Sequence, residues 1–225
     1  MSQERWTAVD RFISDLIVPS DAALDEALQR SAAAGLPPIA VSPPQGMLLN
    51  LLARIQGTRT ALELGTLGGY STIWLARALP AGGRVITLEA NLEYAEVARV
   101  NIERAGLSDV VDLRVGPALE LLPELAAEGC APFDLIFIDA DKQNTPAYFE
   151  WALRLTAAGS LIITDNVIRG GALIDAESDD PSSRGGRRLH ELLAEESRVA
   201  ATTIQTVGSK GYDGFTLALV QGTGG

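Results

Sequence analysis

Residues 60–71 read TALELGTLGGYS, a short apolar run followed by a glycine-rich turn. Gly65, Gly68 and Gly69 permit a tight turn and let a ligand approach the backbone closely. The helix predicted to begin at Ser71 directs its N-terminal N–H groups at the same place, where they favour anions. This order of strand, glycine turn and helix indicates a ligand site, and it fits a dinucleotide as well as related ligands. The alternative interpretation is that these glycines only form a tight turn between the strand and the helix.

The same alternation of apolar runs and amphipathic helices continues along the chain. The predicted strands are Thr60–Leu64, Arg84–Leu88, Val110–Val115, Phe133–Ile138 and Ser160–Thr164. The helices predicted between them are Ser71–Leu79, Leu92–Ala105, Ala118–Glu128 and Pro146–Leu155. Continuous apolar runs separated by helices are typical of a parallel sheet that is covered on both faces.

The C-terminal part of the chain follows a different pattern. A polar, glycine-rich loop, Arg169–Arg184, precedes a helix predicted at Gly185–Glu196. Two further strands, Val199–Val207 and Phe215–Val220, are joined by the short link 208–214. Because so short a link cannot cross over, these strands must be antiparallel. The sequence therefore predicts an α/β fold with a seven-stranded, mostly parallel sheet that ends in an antiparallel hairpin.

The N-terminal part is predicted to be helical throughout. Residues 6–35 show the spacing of two helices, and a third begins at Ser42, a good N-cap followed by two prolines. No repeat, low-complexity segment or linker divides the chain. We therefore predict a single domain of residues 1–225, made of an N-terminal helical annex (1–57) and an α/β core (58–221).

The composition excludes several classes of function. Among the 225 residues, 18 Lys and Arg stand against 29 Asp and Glu, which gives a net charge of −11. Such a surface repels nucleic acids and anionic membranes, and no apolar stretch approaches the roughly 20 residues needed to span a bilayer. Cys130 is the only cysteine and cannot form an internal disulfide, which favours a reducing compartment. We expect a cytoplasmic protein with no nucleic-acid or membrane partner.

An acidic residue ends the second apolar run, in the tetrapeptide TLEA of residues 87–90. The carboxylate of Glu89 at this point can accept hydrogen bonds from both ribose hydroxyls of NAD or of another adenosine ligand. Alternatively, Glu89 is only a negative charge at the N-terminus of the next helix. Combined with the glycine turn, Glu89 favours an adenosine-containing ligand.

Three oxygen-bearing side chains follow the fourth and fifth runs, namely Asp139, Asp165 and Asn166. In the usual strand order of this fold the two strands are neighbours, so these side chains should lie close together. Carboxylate and amide oxygens suit Mg²⁺ rather than zinc, and without a cation the carboxylates would repel each other. Each residue alone could be a loop cap, but together they predict a metal site.

Lys142 lies three residues beyond Asp139. A neighbouring divalent cation and removal from water both favour the neutral form of an amine, which makes Lys142 a candidate general base. A solvated surface lysine is the alternative. The only histidine, His190, lies in a predicted helix, and no P-loop motif is present. Histidine-based hydrolysis and P-loop binding of ATP are therefore not indicated.

Taken together, the motifs at the strand ends resemble those of the cation-dependent class I O-methyltransferases. These include the plant caffeoyl-coenzyme A enzymes, mammalian catechol O-methyltransferase and their bacterial relatives, the last being the most similar. The motifs are Glu63–Ser71, Glu89, Gly116–Leu119, Ile138–Lys142 and Asp165-Asn166. The resemblance runs from about Asp21 to Val220 and implies the Rossmann-like fold of class I methyltransferases.

The resemblance implies S-adenosylmethionine as cofactor and a divalent metal, Mg²⁺ with Mn²⁺ or Ca²⁺ also possible. The residues implied to bind the cofactor are Val41, Glu63, Gly65, Thr66, Ser71, Glu89, Ala118, Asp139 and Asp141. The implied metal ligands are Asp139, Asp165 and Asn166, with Lys142 as the base. The implied reaction is methylation of one hydroxyl of a vicinal-diol phenol, such as a catechol, a caffeoyl compound or a flavonoid.

Two further features bear on partners and substrate. The resemblance implies a homodimer, and Trp6, Ile13 and Ile17 form an apolar stripe expected to lie outside the core and to mark an interface. At Gly170 the plant enzymes carry an asparagine that contacts the substrate, so the identity of the phenol does not carry over.

Two other functions remain open at this point. A nicotinamide-dependent dehydrogenase would have a Gly-x-Gly-x-x-Gly turn and a Tyr-x-x-x-Lys pair, whereas this turn reads Gly-x-x-Gly-Gly and no such pair occurs. A non-catalytic protein that binds an adenosine ligand would need neither the metal ligands nor Lys142.

Overall fold

The sheet has the predicted seven strands in the order β3-β2-β1-β4-β5-β7-β6. A computed structural model describes residues 2–19 and 21–222, so residues 1, 20 and 223–225 of the predicted domain lie outside it. The strands are β1 (Thr60–Leu64), β2 (Arg84–Glu89), β3 (Val111–Val115), β4 (Phe133–Ile138), β5 (Thr156–Asp165), β6 (Val199–Gly208) and β7 (Gly211–Val220). Strands β1 to β5 are parallel, and β7 is antiparallel to both β5 and β6. The predicted fold class is confirmed.

Eight α-helices surround this sheet in the described part of the chain. They are α1 (Gln3–Ile17), α2 (Ala22–Ala33), α3 (Pro43–Gln56), α4 (Tyr70–Ala76), α5 (Leu92–Arg104), α6 (Ala118–Ala127), α7 (Thr145–Arg154) and α8 (Pro181–Glu195). Alternate residues of the strands point to opposite faces. One face packs against α2, α3 and α4, and the other against α6, α7 and α8.

Local capping explains where two of the annex helices begin. The Asp21 side chain accepts hydrogen bonds from the N–H groups of Ala23 and Leu24 at the start of α2. Ser42 accepts from the N–H of Gln45 at the start of α3, behind two prolines that have no N–H to satisfy. The helices predicted for the annex are therefore present.

The link between the last two strands is shorter than predicted. Strand β6 extends to Gly208 and β7 begins at Gly211, so the turn is Ser209-Lys210 rather than residues 208–214. The polar residues Tyr212 and Asp213 suggested a loop, but they pair across the hairpin with β6. Cross-strand pairing therefore overrides the local composition here.

Helix α1 lies on the outside of the domain and contains no buried residue. Of the predicted outward stripe, Ile17 is exposed at 74%, but the prediction is wrong for Trp6 and Ile13, which are half-buried. A different stripe, Val9, Phe12 and Leu16, is exposed at 47%, 65% and 66%.

Within the described residues, no helix combines the length and apolarity required to cross a membrane.

Candidate active site

A cavity of about 410 Å³ lies at the carboxyl ends of β1, β2 and β4. It is lined by most of the residues predicted to bind the cofactor: Val41, Gly65, Thr66, Ser71, Glu89, Ala118, Asp139 and Asp141. Lys142 and Asn166 also line it, whereas the predicted residue Glu63 lies behind its wall. This volume falls within the range of small-molecule and cofactor sites, about 300–1,000 Å³. We call it the larger cavity.

The glycine turn after β1 lies directly against the end of β4. Gly65 has a φ of 96°, and a Cβ added there would lie 2.2 Å from the carbonyl oxygen of Asp139. The Gly65 N–H donates to the carbonyl oxygen of Leu88 at 2.9 Å. Only glycine satisfies both the positive φ and the close approach, and the result brings Asp139 to the edge of the turn.

Glu63 is a completely buried carboxyl group in β1. Its Oε2 accepts hydrogen bonds from the hydroxyl groups of Thr72 at 2.5 Å and Thr87 at 2.7 Å, while its Oε1 has no hydrogen-bond partner. Burial raises the pKa of Glu63 to about 7, and the nearby Asp139 carboxylate also acts to raise it. An unpartnered buried carboxylate oxygen beside a cavity suits a positively charged group of a ligand.

Glu89 holds the glycine turn as well as lining the larger cavity. Its Oε2 accepts from the N–H groups of Thr66 at 3.2 Å and Leu67 at 2.7 Å. Its Oε1 accepts from the N–H of Asn91 at 2.9 Å. A carboxylate has about four acceptor positions, so Glu89 retains capacity for a ligand hydroxyl. The alternative interpretation of Glu89, a negative charge at the start of the next helix, agrees with this contact, since Asn91 is the N-cap of α5. Binding of ribose hydroxyls by Glu89 stays a prediction.

Asp139 follows directly on β4, and Asp165 is the last residue of the neighbouring strand β5. Ile138 of β4 pairs with Thr164 of β5, so the two aspartates begin at the same level of the sheet. Burial raises the pKa of Asp165, and the charge of Asp139 raises it further. The predicted proximity of the two carboxylates is therefore present, and it is electrostatically unfavourable without a cation.

Asn166 has a φ of 55°, a left-handed conformation that a non-glycine residue adopts infrequently. Its N–H donates to Asp165 Oδ1 at 2.8 Å. Among residues 2–19 and 21–222, no group of three or more His, Cys, Asp and Glu side chains forms a metal site. A metal at this point would thus need the amide oxygen of Asn166 besides the two carboxylates.

A second, smaller cavity of about 230 Å³ adjoins the first. Its walls include Asp10 from α1, Gln45 from α3 and Phe215 from β7. Asp165 lines this smaller cavity, Asp139 and Lys142 line the larger one, and Asn166 lines both. The predicted metal ligands and base therefore lie where the two cavities meet.

Gln45 is a site residue that the sequence did not reveal. Its Nε2 donates to Asp165 Oδ2 at 2.6 Å, from a helix 120 positions earlier in the chain. No local signal identifies Gln45, since it resembles an ordinary first-turn residue after two prolines.

Tyr148 and Asp213 were also missed. The Tyr148 hydroxyl donates to Asp141 Oδ1, and burial together with this carboxylate raises the pKa of Tyr148. Asp213 Oδ1 accepts from the N–H groups of Ile168 and Arg169, each at 2.9 Å, and so holds the loop after β5. An acidic residue inside a predicted link was the only available signal for Asp213.

Comparisons with known proteins agree with this arrangement. The model of a family described as O-methyltransferase matches residues 16–220. The chain is 51% identical over 221 residues to the catechol O-methyltransferase of Niastella koreensis, covering 98% of this chain and 100% of that protein.

Two solved structures are similar over nearly the whole chain. The O-methyltransferase of Bacillus cereus in complex with SAH has a TM-score of 0.97 and 59% identity, covering 98% of this chain and 100% of that one. An O-methyltransferase of Streptomyces achromogenes in complex with SAM has a TM-score of 0.95 and 52% identity, covering 99% and 100%.

These matches confirm the resemblance inferred from the motifs and do not support a dehydrogenase or a non-catalytic binding protein. With the family model matching most of its length, the chain belongs to the O-methyltransferase family.

Proposed function

We propose that this protein is an S-adenosylmethionine- and Mg²⁺-dependent O-methyltransferase that methylates one hydroxyl of a small vicinal-diol phenol. The observation that carries the proposal is that two cavities meet at Asn166, with Asp139 and Lys142 lining one and Asp165 lining the other. A relative named catechol O-methyltransferase supports a phenolic acceptor, and relatives solved with SAM or SAH support the cofactor.

The larger cavity suits S-adenosylmethionine in its polar groups. Glu63, with its buried and unpartnered oxygen behind the cavity wall, would attract the cofactor's ammonium group by its charge. Glu89 lines the cavity at the end of β2, where an acidic residue can accept from ribose hydroxyls. When bound, the cofactor supplies an electrophilic methyl group; the chain's own task is to fix its position.

The donor set at the cavity junction fits a hard divalent cation. Asp139, Asp165 and Asn166 would hold it, because carboxylate and amide oxygens are the ligands that Mg²⁺ prefers, and Mn²⁺ or Ca²⁺ would use the same oxygens. When bound, the cation supplies Lewis acidity that favours the ionised acceptor hydroxyl. The raised pKa of Asp165, caused first by burial and then by the charge of Asp139, supports this assignment, because a cation would relieve both effects.

Lys142 is the proposed general base. Its side chain is 14% exposed and its Nζ lies 2.5 Å from Asp139 Oδ1. In this ion pair Lys142 is a cation. A divalent cation held by Asp139 would displace the ion pair, and the freed amine, once neutral, could accept the proton of the acceptor hydroxyl. The acceptor oxygen would then have the electron pair with which to form the new bond to the methyl carbon, while the carbon–sulfur bond breaks, its electrons go to sulfur and S-adenosylhomocysteine leaves.

Orientation is the second contribution of the chain. A diol placed in the smaller cavity would be confined between α3 and the β6–β7 hairpin, with one hydroxyl directed at the larger cavity. Holding two reactants in this way accounts for much of the rate gain in bimolecular transfers. A phenol without the adjacent hydroxyl would lose one contact with the metal and would no longer be oriented towards the methyl group.

We also propose that the protein is a cytoplasmic homodimer. The exposed apolar side chains of α1, namely Val9, Phe12 and Leu16, suit an interface between two copies. The acidic composition and the single cysteine support a cytoplasmic location and speak against nucleic-acid and membrane partners.

One experiment tests the core of this proposal. The purified protein is titrated calorimetrically with S-adenosylmethionine and separately with NAD, and methyl transfer to catechol is then measured with chelator and with added Mg²⁺. We expect binding of S-adenosylmethionine only, and turnover only with the metal. Preferential binding of NAD, or cofactor binding without turnover under any cation, would contradict the proposal.

A further inference from the structure

Asn101 is a polar residue of α5 that is buried to an exposure of only 2%. Its Oδ1 accepts from Arg30 Nε at 3.0 Å, and its Nδ2 donates to the carbonyl oxygens of Gly68 at 2.8 Å and Ala27 at 3.4 Å. One amide group therefore joins α5, the annex helix α2 and the glycine turn. Such a fully used buried amide is costly to disturb.

The glycine turn is also confined from the side of α2. A Cβ added at Gly68 would lie 2.0 Å from Ser31 Oγ. Ser31 itself donates to the Ala27 carbonyl oxygen at 2.7 Å and lines the larger cavity. The turn is thus held between Ser31 on α2 and Asn101 on α5, and α2 forms part of the cavity wall.

We infer that Asn101 is a positioning residue for the cofactor, acting through the Gly68 carbonyl and linking α2 to the glycine turn. This inference rests on the proposed function, because it assumes that the larger cavity binds S-adenosylmethionine. The physical reason is that residues touching a ligand must be held to within about 0.5 Å by the groups behind them. Because coupling is reciprocal, binding of the cofactor also stabilises the docking of α2.

Two variants separate the contacts of Asn101. Asn101→Asp keeps an acceptor for Arg30 but removes the donor to Gly68 and Ala27, and it places a negative charge against their carbonyl oxygens. Arg30→Met removes only the side-chain contact from α2 and leaves the bonds of Asn101 to Gly68 and Ala27. As a control, Phe133→Leu removes packing volume at the start of β4, the end of the strand away from the cavity, and lowers stability without touching the turn.

The first readout is the affinity for S-adenosylhomocysteine, measured by calorimetry. We expect Asn101→Asp to weaken it by about tenfold and Arg30→Met by about threefold, the order expected for lost hydrogen bonds. Phe133→Leu should bind as the parent does. In steady-state assays Asn101→Asp should raise the KM for S-adenosylmethionine and leave kcat nearly unchanged, because no reacting group has been altered.

The second readout is hydrogen exchange of the α2 amides with and without S-adenosylhomocysteine. We expect the product to slow exchange in α2 of the parent and of Phe133→Leu, but much less in Asn101→Asp and Arg30→Met. Parent-like affinity and parent-like protection in both variants would overturn the inference. If Asn101→Asp fails to fold, as judged by circular dichroism, Asn101→Ala takes its place, because it removes the same donor without adding a charge. Failure of the parent to bind the product would instead overturn the proposed function, and the inference with it.

Discussion

Lys142 Nζ lies 2.5 Å from Asp139 Oδ1, so the proposed base forms an ion pair with a proposed metal ligand. The positive charge of Lys142 also acts on Asp165, where it lowers the pKa against the stronger effect of burial. Lys142 can therefore contribute in two ways that experiments can separate. In its protonated form it places a positive charge beside Asp139 and Asp165, and in its neutral form it is an amine that can accept a proton.

The first prediction separates these contributions. Lys142→Met should reduce activity at neutral pH by about 10²–10⁴-fold, the usual range for a general base, with partial recovery at higher pH as the hydroxyl ionises to solvent. Lys142→Arg keeps a positive charge but cannot be deprotonated, so it should be nearly as inactive. Affinity for S-adenosylhomocysteine should change little. A pH–rate profile of Lys142→Met that parallels the parent's, with no deficit at pH 7, would remove Lys142 from the mechanism.

The second prediction concerns the metal. Asp165→Ala should abolish turnover at saturating cofactor, because the remaining ligands would form a weak and misaligned site. Since Asp165 lines the smaller cavity, calorimetric affinity for S-adenosylhomocysteine should be retained. Chelator should inactivate the parent, and Mg²⁺ or Mn²⁺ should restore it. Full activity in excess chelator is the outcome that rejects the metal.

The third prediction follows from Glu63, whose pKa is raised from 4.5 to about 7 in the folded protein. Between these values the folded state keeps a proton that the unfolded chain releases, so the stability contributed by this group falls as pH rises. Glu63→Gln lacks this loss. The free energy of unfolding is measured for both proteins by urea unfolding without cofactor. Between pH 5 and pH 8, the value for Glu63→Gln minus the value for the parent should rise by about 2–3 kcal/mol.

The same substitution should weaken binding of S-adenosylmethionine, because the amide has no charge with which to receive the ammonium group. The prediction is contradicted if the free energy of unfolding depends on pH in the same way for the parent and for Glu63→Gln. Ionisation of Glu63 would then cost the folded protein no stability.

The fourth prediction concerns assembly. The protein should have the mass of a dimer in light scattering, and Phe12→Glu should shift it towards monomer by placing a charge in the exposed stripe of α1. Arg11→Glu, on the same helix but about 100° around its axis, should remain dimeric. A monomer mass for the parent at every concentration would reject the dimer.

The order and type of the helices and strands follow from local patterns in the sequence. The bounds of β1 and β4 agree with the predicted Thr60–Leu64 and Phe133–Ile138, because apolar runs and helical spacing are properties of neighbouring residues. The sequence also placed Asp139 and Asp165 together, since parallel strands carry their carboxyl ends to one edge of the sheet.

Tertiary structure decided what depends on contacts between distant segments. Gln45 reaches Asp165 across 120 positions, and Asn101 meets Gly68 and Arg30 only because α2 docks beside α5. Likewise, the half-buried face of α1 and the two-residue turn at Ser209-Lys210 follow from the packing of α1 and from pairing of β6 with β7. Periodicity specifies which face of an element is apolar, but the partner of each polar side chain is specified only when the elements are packed together.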